Sequence, residues 1–260
     1  LLTGAAILAF WVGCAAFGRF VAPFDPYESD ILNALHPPSA THWFGTDQLG
    51  RDVFSRVVVG AGDILLVAPA ATALGTVLGV ILGLVAGYFR GIVDDAISRV
   101  IDAFMALPLI IVALVTLTAI GASTASVIVV IGVIFAPLIA RTVRAAVLSE
   151  RELDYVAAAT LQGESAGAIL FAEILPNILP PILVEATVRL GYAVFAVATL
   201  SFIGFGIQPP SPDWGLAVSE SYGLIDGGVW WPVLFNALAI ASLVIGVNLV
   251  ADRVERALAA

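Results

Sequence analysis

The chain has 260 residues, 60% of them hydrophobic and 12% charged, with a mean hydropathy of +1.05 and a net charge of −9. So much apolar surface exceeds what a soluble core of this length could enclose, which excludes an ordinary soluble domain and places the chain in a bilayer. The acidic balance also disfavours nucleic acid and other anionic partners, by a repulsion that salt screens over about 8 Å.

A hydrocarbon layer about 30 Å thick needs roughly 20 apolar residues in a helix, because lipid offers no partner to backbone N–H and C=O groups. Six windows meet this requirement, at about 1–22, 64–88, 100–120, 124–148, 178–207 and 229–251. The expected fold is therefore all-α and polytopic, one transmembrane domain over 1–260, with outer loops at 23–63 and 208–228 and a cytoplasmic loop at 150–177.

The first window starts at Leu1 without an initiator methionine, a basic leader or a clear cleavage site, so a trimmed terminus is expected rather than a signal peptide. It holds Cys14, the one cysteine, which excludes an internal disulfide and a thiolate metal cluster.

The loop 23–63 opens with turn signals at "APFDPY" and "HPPS" and continues as "HWFGTDQLGRDVFSRVVVG". Asp47 with Arg51, and Asp52 with Arg56, stand at i,i+4 in the acid-first order that supports a short surface helix. His36 and His42 lie in the same loop without a third ligand pattern, so no metal site is expected.

The second window carries Gly75, Gly79, Gly83 and Gly87 at a spacing of four, one helix stripe bare of side chains against which another helix can pack closely. Arg90 and Arg99 flank the connection to the third window, Arg141, Arg144 and Arg151 follow the fourth, and Arg253 and Arg256 follow the sixth. The positive-inside rule puts those connections and both termini in the cytoplasm.

The cytoplasmic loop reads "DYVAAATLQGESAGAILFAEILPN" from residue 154 to 177. Asp154 is the candidate N-cap of a first helix, Gly163 its stop, Ser165 the cap of a second helix through "AGAILFAEIL", and Pro176 the entry to the fifth window. A helix, a glycine turn and a helix of small residues suit docking into a partner's groove.

The fifth window contains Glu185 and Arg189, an i,i+4 pair about 13 Å or more into the membrane, which serves either as an inter-helix tie or as a lining of a solute pathway. There is no Walker loop, no H-E-x-x-H and no G-x-S-x-G, so no catalytic site, metal site or cofactor is expected in this chain. Few ionisable groups are available for ion coupling, so the energy source is expected in another subunit.

The loop's "DYVAAATLQG" and "ILPN" resemble the inner-membrane permease subunits of bacterial ABC importers, whose cytoplasmic loop carries an E-A-A then G pattern. "HWFGTDQLGRDVFSR" (42–56), "GYFRGIVDDAISRVIDAFMALP" (87–108), "LSFIGFGIQPPSPDWG" (200–215) and "NLVADRVERAL" (248–258) look like the dipeptide, oligopeptide and nickel subgroup, and within it the second permease subunit.

The resemblance implies the type I importer fold in the bacterial inner membrane. It also implies a heterodimer with a second permease, two cytoplasmic ATPases that use ATP and Mg, and an extracytoplasmic binding protein. It makes Asp154, Tyr155, Ala158, Ala159, Gly163, Glu164 and Ser165 the ATPase-coupling candidates. Two departures stand out: Ala157 replaces the motif's usual glutamate, and Glu173 stands where relatives often have histidine.

Peptides are the expected cargo. Nickel stays open, since Met105 and two loop histidines offer few soft ligands but a chelated metal could pass as an organic complex. The reading from another class is an ion-coupled secondary transporter using Glu185 and Arg189.

Overall fold

The computed structural model describes residues 2–258. Among them the regular structure is helical, with one isolated antiparallel bridge between Thr46 and Asp52. Five helices are long and apolar enough to cross a membrane: α1 (Leu2–Val21), α2 (Val53–Phe89), α5 (Thr124–Glu150), α8 (Leu179–Phe202) and α10 (Trp231–Leu258). α2 and α5 form the central pair, flanked by α1 and α8, and α10 closes the bundle against both flanks.

The third window does not form one helix. It lies across α3 (Gly91–Met105) and α4 (Leu109–Ile120), which meet at 88°. Pro108 has no N–H to continue the ladder and pushes Leu107 out of the helical region, so the chain breaks there. α4 alone spans only about 18 Å at 1.5 Å per residue. α3 is amphipathic: Asp94 is buried while Ile92 and Val100 are exposed.

α2 starts at Val53, so the loop expected over 23–63 gives way to helix after Asp52. Its 37 residues run about 55 Å, well beyond the hydrocarbon thickness. The glycine stripe faces α5. A Cβ on Gly75, Gly79 or Gly83 would come within 2.8 Å of the carbonyl oxygens of Gly132, Ala136 and Ala140, and one on Gly87 would meet Val147 Cβ at 2.7 Å. Two small-residue faces thus bring two backbones together where lipid supplies no hydrophobic drive.

The surface helix expected from Asp47, Arg51, Asp52 and Arg56 is absent. Asp47 and Arg51 do pair, Nε to Oδ2 at 2.6 Å, but within a turn in which Asp47 Oδ1 accepts from the backbone of Leu49 and Arg51. Asp52 caps α2 through the Ser55 N–H and holds His42 Nδ1 at 2.9 Å instead of pairing with Arg56. Arg56 donates to the carbonyls of Pro26 and Ser211, and Arg51 Nη2 reaches Glu220 at 2.8 Å. Buried charges persist when paired and fully hydrogen-bonded, and these arginines staple the loop before α2 to the segment that holds Ser211 and Glu220.

The loop 208–228 is partly helical. α9 (Trp214–Ser221) is capped by Asp213 and buries Trp214 completely, its indole donating to the Val57 carbonyl at 2.9 Å. Trp231 makes the matching bond to Thr46 O at 2.9 Å. The loop before α2 and the segment around α9 therefore fold onto the same end of the bundle as one cap.

Candidate functional site

At the opposite end, the arginines of the basic connections are occupied by the bundle itself. Arg144 binds Asp94 with two donors, Nε to Oδ1 at 2.5 Å and Nη2 to Oδ2 at 2.6 Å, a fork-to-fork pair between α5 and α3. Arg141 pairs with Asp102, Arg90 with Glu152, and Arg151 donates to the Tyr88 carbonyl with its Cζ 5.6 Å from that ring's centroid. These contacts gather the end of α2, the whole of α3 and the end of α5 beside the loop that follows.

That loop folds as α6 (Asp154–Leu161) and α7 (Ala166–Asn177). Asp154 is not the cap: Leu153 holds the extended cap conformation, and Asp154 sits in the first turn, where its charge favours the helix dipole. Alanines and a leucine sustain α6. Gly163 ends it at φ +80, with its N–H on Thr160 O at 3.1 Å and the Glu164 N–H on Ala159 O at 3.2 Å. This reciprocal pair of bonds satisfies the helix's last carbonyls and requires a left-handed residue at 163.

Ser165 caps α7 through the Ala168 N–H at 3.2 Å. α7 opens to a wider π-type turn over Ile169–Ile174, runs past Pro176, and yields to α8 at Ile178, so the fifth span begins at Leu179 rather than at Pro176.

α6 buries Val156 and Ala159 against α7 and leaves its other face bare. Ala157, Ala158 and Leu161 are exposed, Leu161 to 89%. Residues 157 and 161 share one helix stripe, so Leu161 projects beside the position where the resemblance expects a glutamate. Tyr155 is the anchor: its hydroxyl donates to Glu150 Oε1 at 2.9 Å and accepts from Asn177 Nδ2 at 3.1 Å. Burial, followed by the Glu150 carboxylate, raises its pKa above the usual tyrosine value. Glu150, Asn177 and Leu161 were not singled out from sequence; the i,i+4 spacing from Ala157 was the available signal for Leu161.

Glu185 and Arg189 do meet in the middle of α8, Nη2 to Oε1 at 2.5 Å. Arg189 Cζ lies 5.5 Å from the centroid of the Tyr192 ring. The guanidinium borders a cavity of about 350 Å³ between α4, α5 and α8, lined by apolar residues such as Leu109, Ile134, Phe135 and Phe195. A second cleft of about 490 Å³, between α8, α9 and α10, is lined by apolar side chains and Thr199 and carries no charge. His42 meets the carboxylate of Asp52, and no group of three or more metal-ligating side chains forms among the described residues.

Residues 79–260 match the family model described as "binding-protein-dependent transport system inner membrane component". The chain belongs to that family. It is 38% identical, over 99% of its length and 84% of the relative's, to the dipeptide transport system permease protein DppC of Alkalihalophilus pseudofirmus. It is 37% identical to the glutathione transport system permease protein GsiD of Escherichia coli O6:K15:H31, over 99% of this chain and 85% of that one. The di/tripeptide permease protein DppC of Pseudomonas aeruginosa is 34% identical over 99% and 86%. Among solved structures, an inward-facing MetNI methionine ABC transporter matches with a TM-score of 0.62 at 24% identity, covering 78% of this chain and 96% of that one. The last likeness concerns the fold alone; the chain is a multi-pass membrane component of a transport system.

Proposed function

We propose that this chain is a permease subunit of an ATP-driven peptide importer, one of two that enclose the pathway. The observation that carries the reading is the end-to-end similarity to permeases of dipeptide, di/tripeptide and glutathione systems. The bent pair α3–α4 then serves as the third of six spans, with α3 lying at the cytoplasmic interface and α4 inserted. Both termini then face the cytoplasm, a placement that the arginines of the shorter connections support.

On this reading α6 is the coupling helix. ATP hydrolysis belongs to partner subunits, with ATP and Mg bound there, and an extracytoplasmic protein delivers the peptide. The bare stripe Ala157, Ala158 and Leu161 enters a groove of an ATPase. Asp154, Glu164 and Ser165 rim that contact, and Gly163 turns the chain back toward α7. Movement of α6 passes through Tyr155 and Glu150 to α5, and through the Arg144–Asp94 pair to α3, as a rigid-body rotation of packed helices. Gly75, Gly79, Gly83 and Gly87 keep α2 and α5 moving as one unit.

The test is purification of the chain in mild detergent, identification of what accompanies it, and measurement of which peptides stimulate ATP hydrolysis through the accompanying binding protein. Copurifying ATPases and peptide-stimulated hydrolysis are expected. Ion-driven transport by the isolated chain would overturn the reading, and stimulation by nickel alone would redirect it to the metal branch of the subgroup.

A further inference from the structure

The Glu185–Arg189 pair is made with only part of its bonding capacity. Arg189 Nε and Nη2 both approach one oxygen, Glu185 Oε1, at 2.6 and 2.5 Å. Among the described residues no side-chain hydrogen bond reaches Glu185 Oε2 or Arg189 Nη1. A guanidinium carries five donors in a rigid fork that matches a carboxylate with two parallel bonds. Here that fork is satisfied by one oxygen, whereas Arg144 grips both oxygens of Asp94.

The environment of the pair is equally specific. The two side chains keep 19% and 16% of their surface accessible, so neither is sealed in the core. Arg189 borders the cavity between α4, α5 and α8, in which the other lining residues are uncharged. Tyr192, one turn further along, is 58% exposed and steadies the guanidinium through its ring face. An ionisable pair at this depth is costly and is expected to serve a pathway or a tie; a tie alone does not require an open fork beside a cavity.

We propose that Arg189 is a carboxylate-exchange point in the translocation path. Its free donors take the C-terminal carboxylate of a passing short peptide, and Glu185 restores neutrality when the peptide leaves. Charge complementarity selects the occupant. A zwitterionic peptide meeting an internally neutral pair leaves the net charge of the cavity at zero, with the carboxylate on Arg189 and Glu185 Oε2 available to the ammonium. A free anion would leave an uncompensated charge in a low-dielectric space. The apolar walls accept side chains of any shape, so recognition falls on the termini common to all short peptides. No covalent step is involved.

This inference rests on the peptide-importer reading, and the experiment separates the two. The intact transporter is reconstituted in liposomes with its binding protein, and uptake of alanyl-phenylalanine is compared with uptake of its C-terminal amide. The comparison is made for the wild type, for Glu185→Gln/Arg189→Gln, and for Arg189→Lys, each normalised to the amount inserted. The binding protein is common to all three, so its own preference cancels in the ratio. The expected result is a preference for the free acid in the wild type that drops on the order of tenfold in the double variant, about the value of one charge-assisted hydrogen bond. Arg189→Lys, which keeps the charge but loses the fork, should lower the preference by a smaller factor. An unchanged ratio in the double variant, or in Arg189→Lys should the double variant fail to insert, overturns the proposal and leaves the importer reading intact. Absence of wild-type uptake of either peptide overturns both.

Discussion

Tyr155 donates its hydroxyl to Glu150 at 2.9 Å, joining the first turn of α6 to the last residue of α5. Asn177 donates to the tyrosine hydroxyl from the end of α7, so one phenol connects three helices at this end of the bundle. Tyr155→Phe keeps the ring's packing and removes both bonds. The loss of about 1 kcal/mol of net bonding should reduce peptide-stimulated ATP hydrolysis roughly fivefold. Membrane insertion should not change. Coupling is read as the ratio of stimulated to basal hydrolysis, and an unaltered ratio would show that α6 moves without this link.

Gly163 is constrained by its backbone and not by its neighbours. Its φ is +80, yet no heavy atom lies within 4 Å of where a Cβ would stand. Asparagine visits the left-handed region readily and valine does not. Gly163→Asn is expected to retain most uptake, whereas Gly163→Val should cost about 1–2 kcal/mol of local strain and uncouple ATP hydrolysis from transport. Equal uptake by the two variants would sink the turn's role in docking.

Gly79 presents the opposite case, an ordinary backbone with no room. A Cβ there would lie 2.7 Å from Ile139 Cβ and 2.8 Å from the Ala136 carbonyl oxygen. Gly79→Leu must pry α2 from α5 and is expected to cost about 1–3 kcal/mol by overpacking. The effect should be seen as a lower midpoint of thermal unfolding in detergent. A wild-type midpoint would mean that the two helices are more loosely held than their backbone distances indicate.

Asp213 caps α9 by accepting from the Leu216 N–H at 2.8 Å, but its Oδ2 is buried without a partner. Burial pushes its pKa from the ordinary 3.8 to about 6. The folded state thus holds a proton that the unfolded chain has already released between those values, so the contribution to stability is full below pH 3.8 and is lost as pH rises to about 6. Asp213→Asn keeps the cap acceptor and removes the ionisation. It should be more stable than the wild type at pH 7, by on the order of 3 kcal/mol at most, and so unfold at a higher temperature, with the difference shrinking toward pH 4. Thermal melts of both proteins across that range decide it; a constant difference would place the pH dependence elsewhere.

Read in one dimension, the chain already places itself in a bilayer, locates its principal apolar helices and marks a small-residue helix pair between α5 and α8. Those properties are carried by local composition and period: apolar windows of spanning length, a glycine stripe at spacing four, and a serine and a glycine at the two sides of a turn. Family resemblance was legible in the same way, because long contiguous blocks survive in one dimension.

Which partner each of these features meets is a matter of three-dimensional packing. Glycine spacing marks a bare stripe but not the helix that fills it, which proved to be α5. Acid-first pairs at i,i+4 suggest a surface helix, yet Arg51 adds Glu220 to its local partner Asp47, and Arg56 leaves Asp52 for the carbonyls of Pro26 and Ser211, acceptors distant in sequence that desolvation makes valuable. Hydropathy could not separate α3 from α4, because it averages over the break at Pro108. It also left Glu185 and Arg189 as a pair without surroundings. Folding placed Arg189 beside a cavity with part of its fork unused, because packing α8 against α4 and α5 is a long-range event that local spacing does not encode.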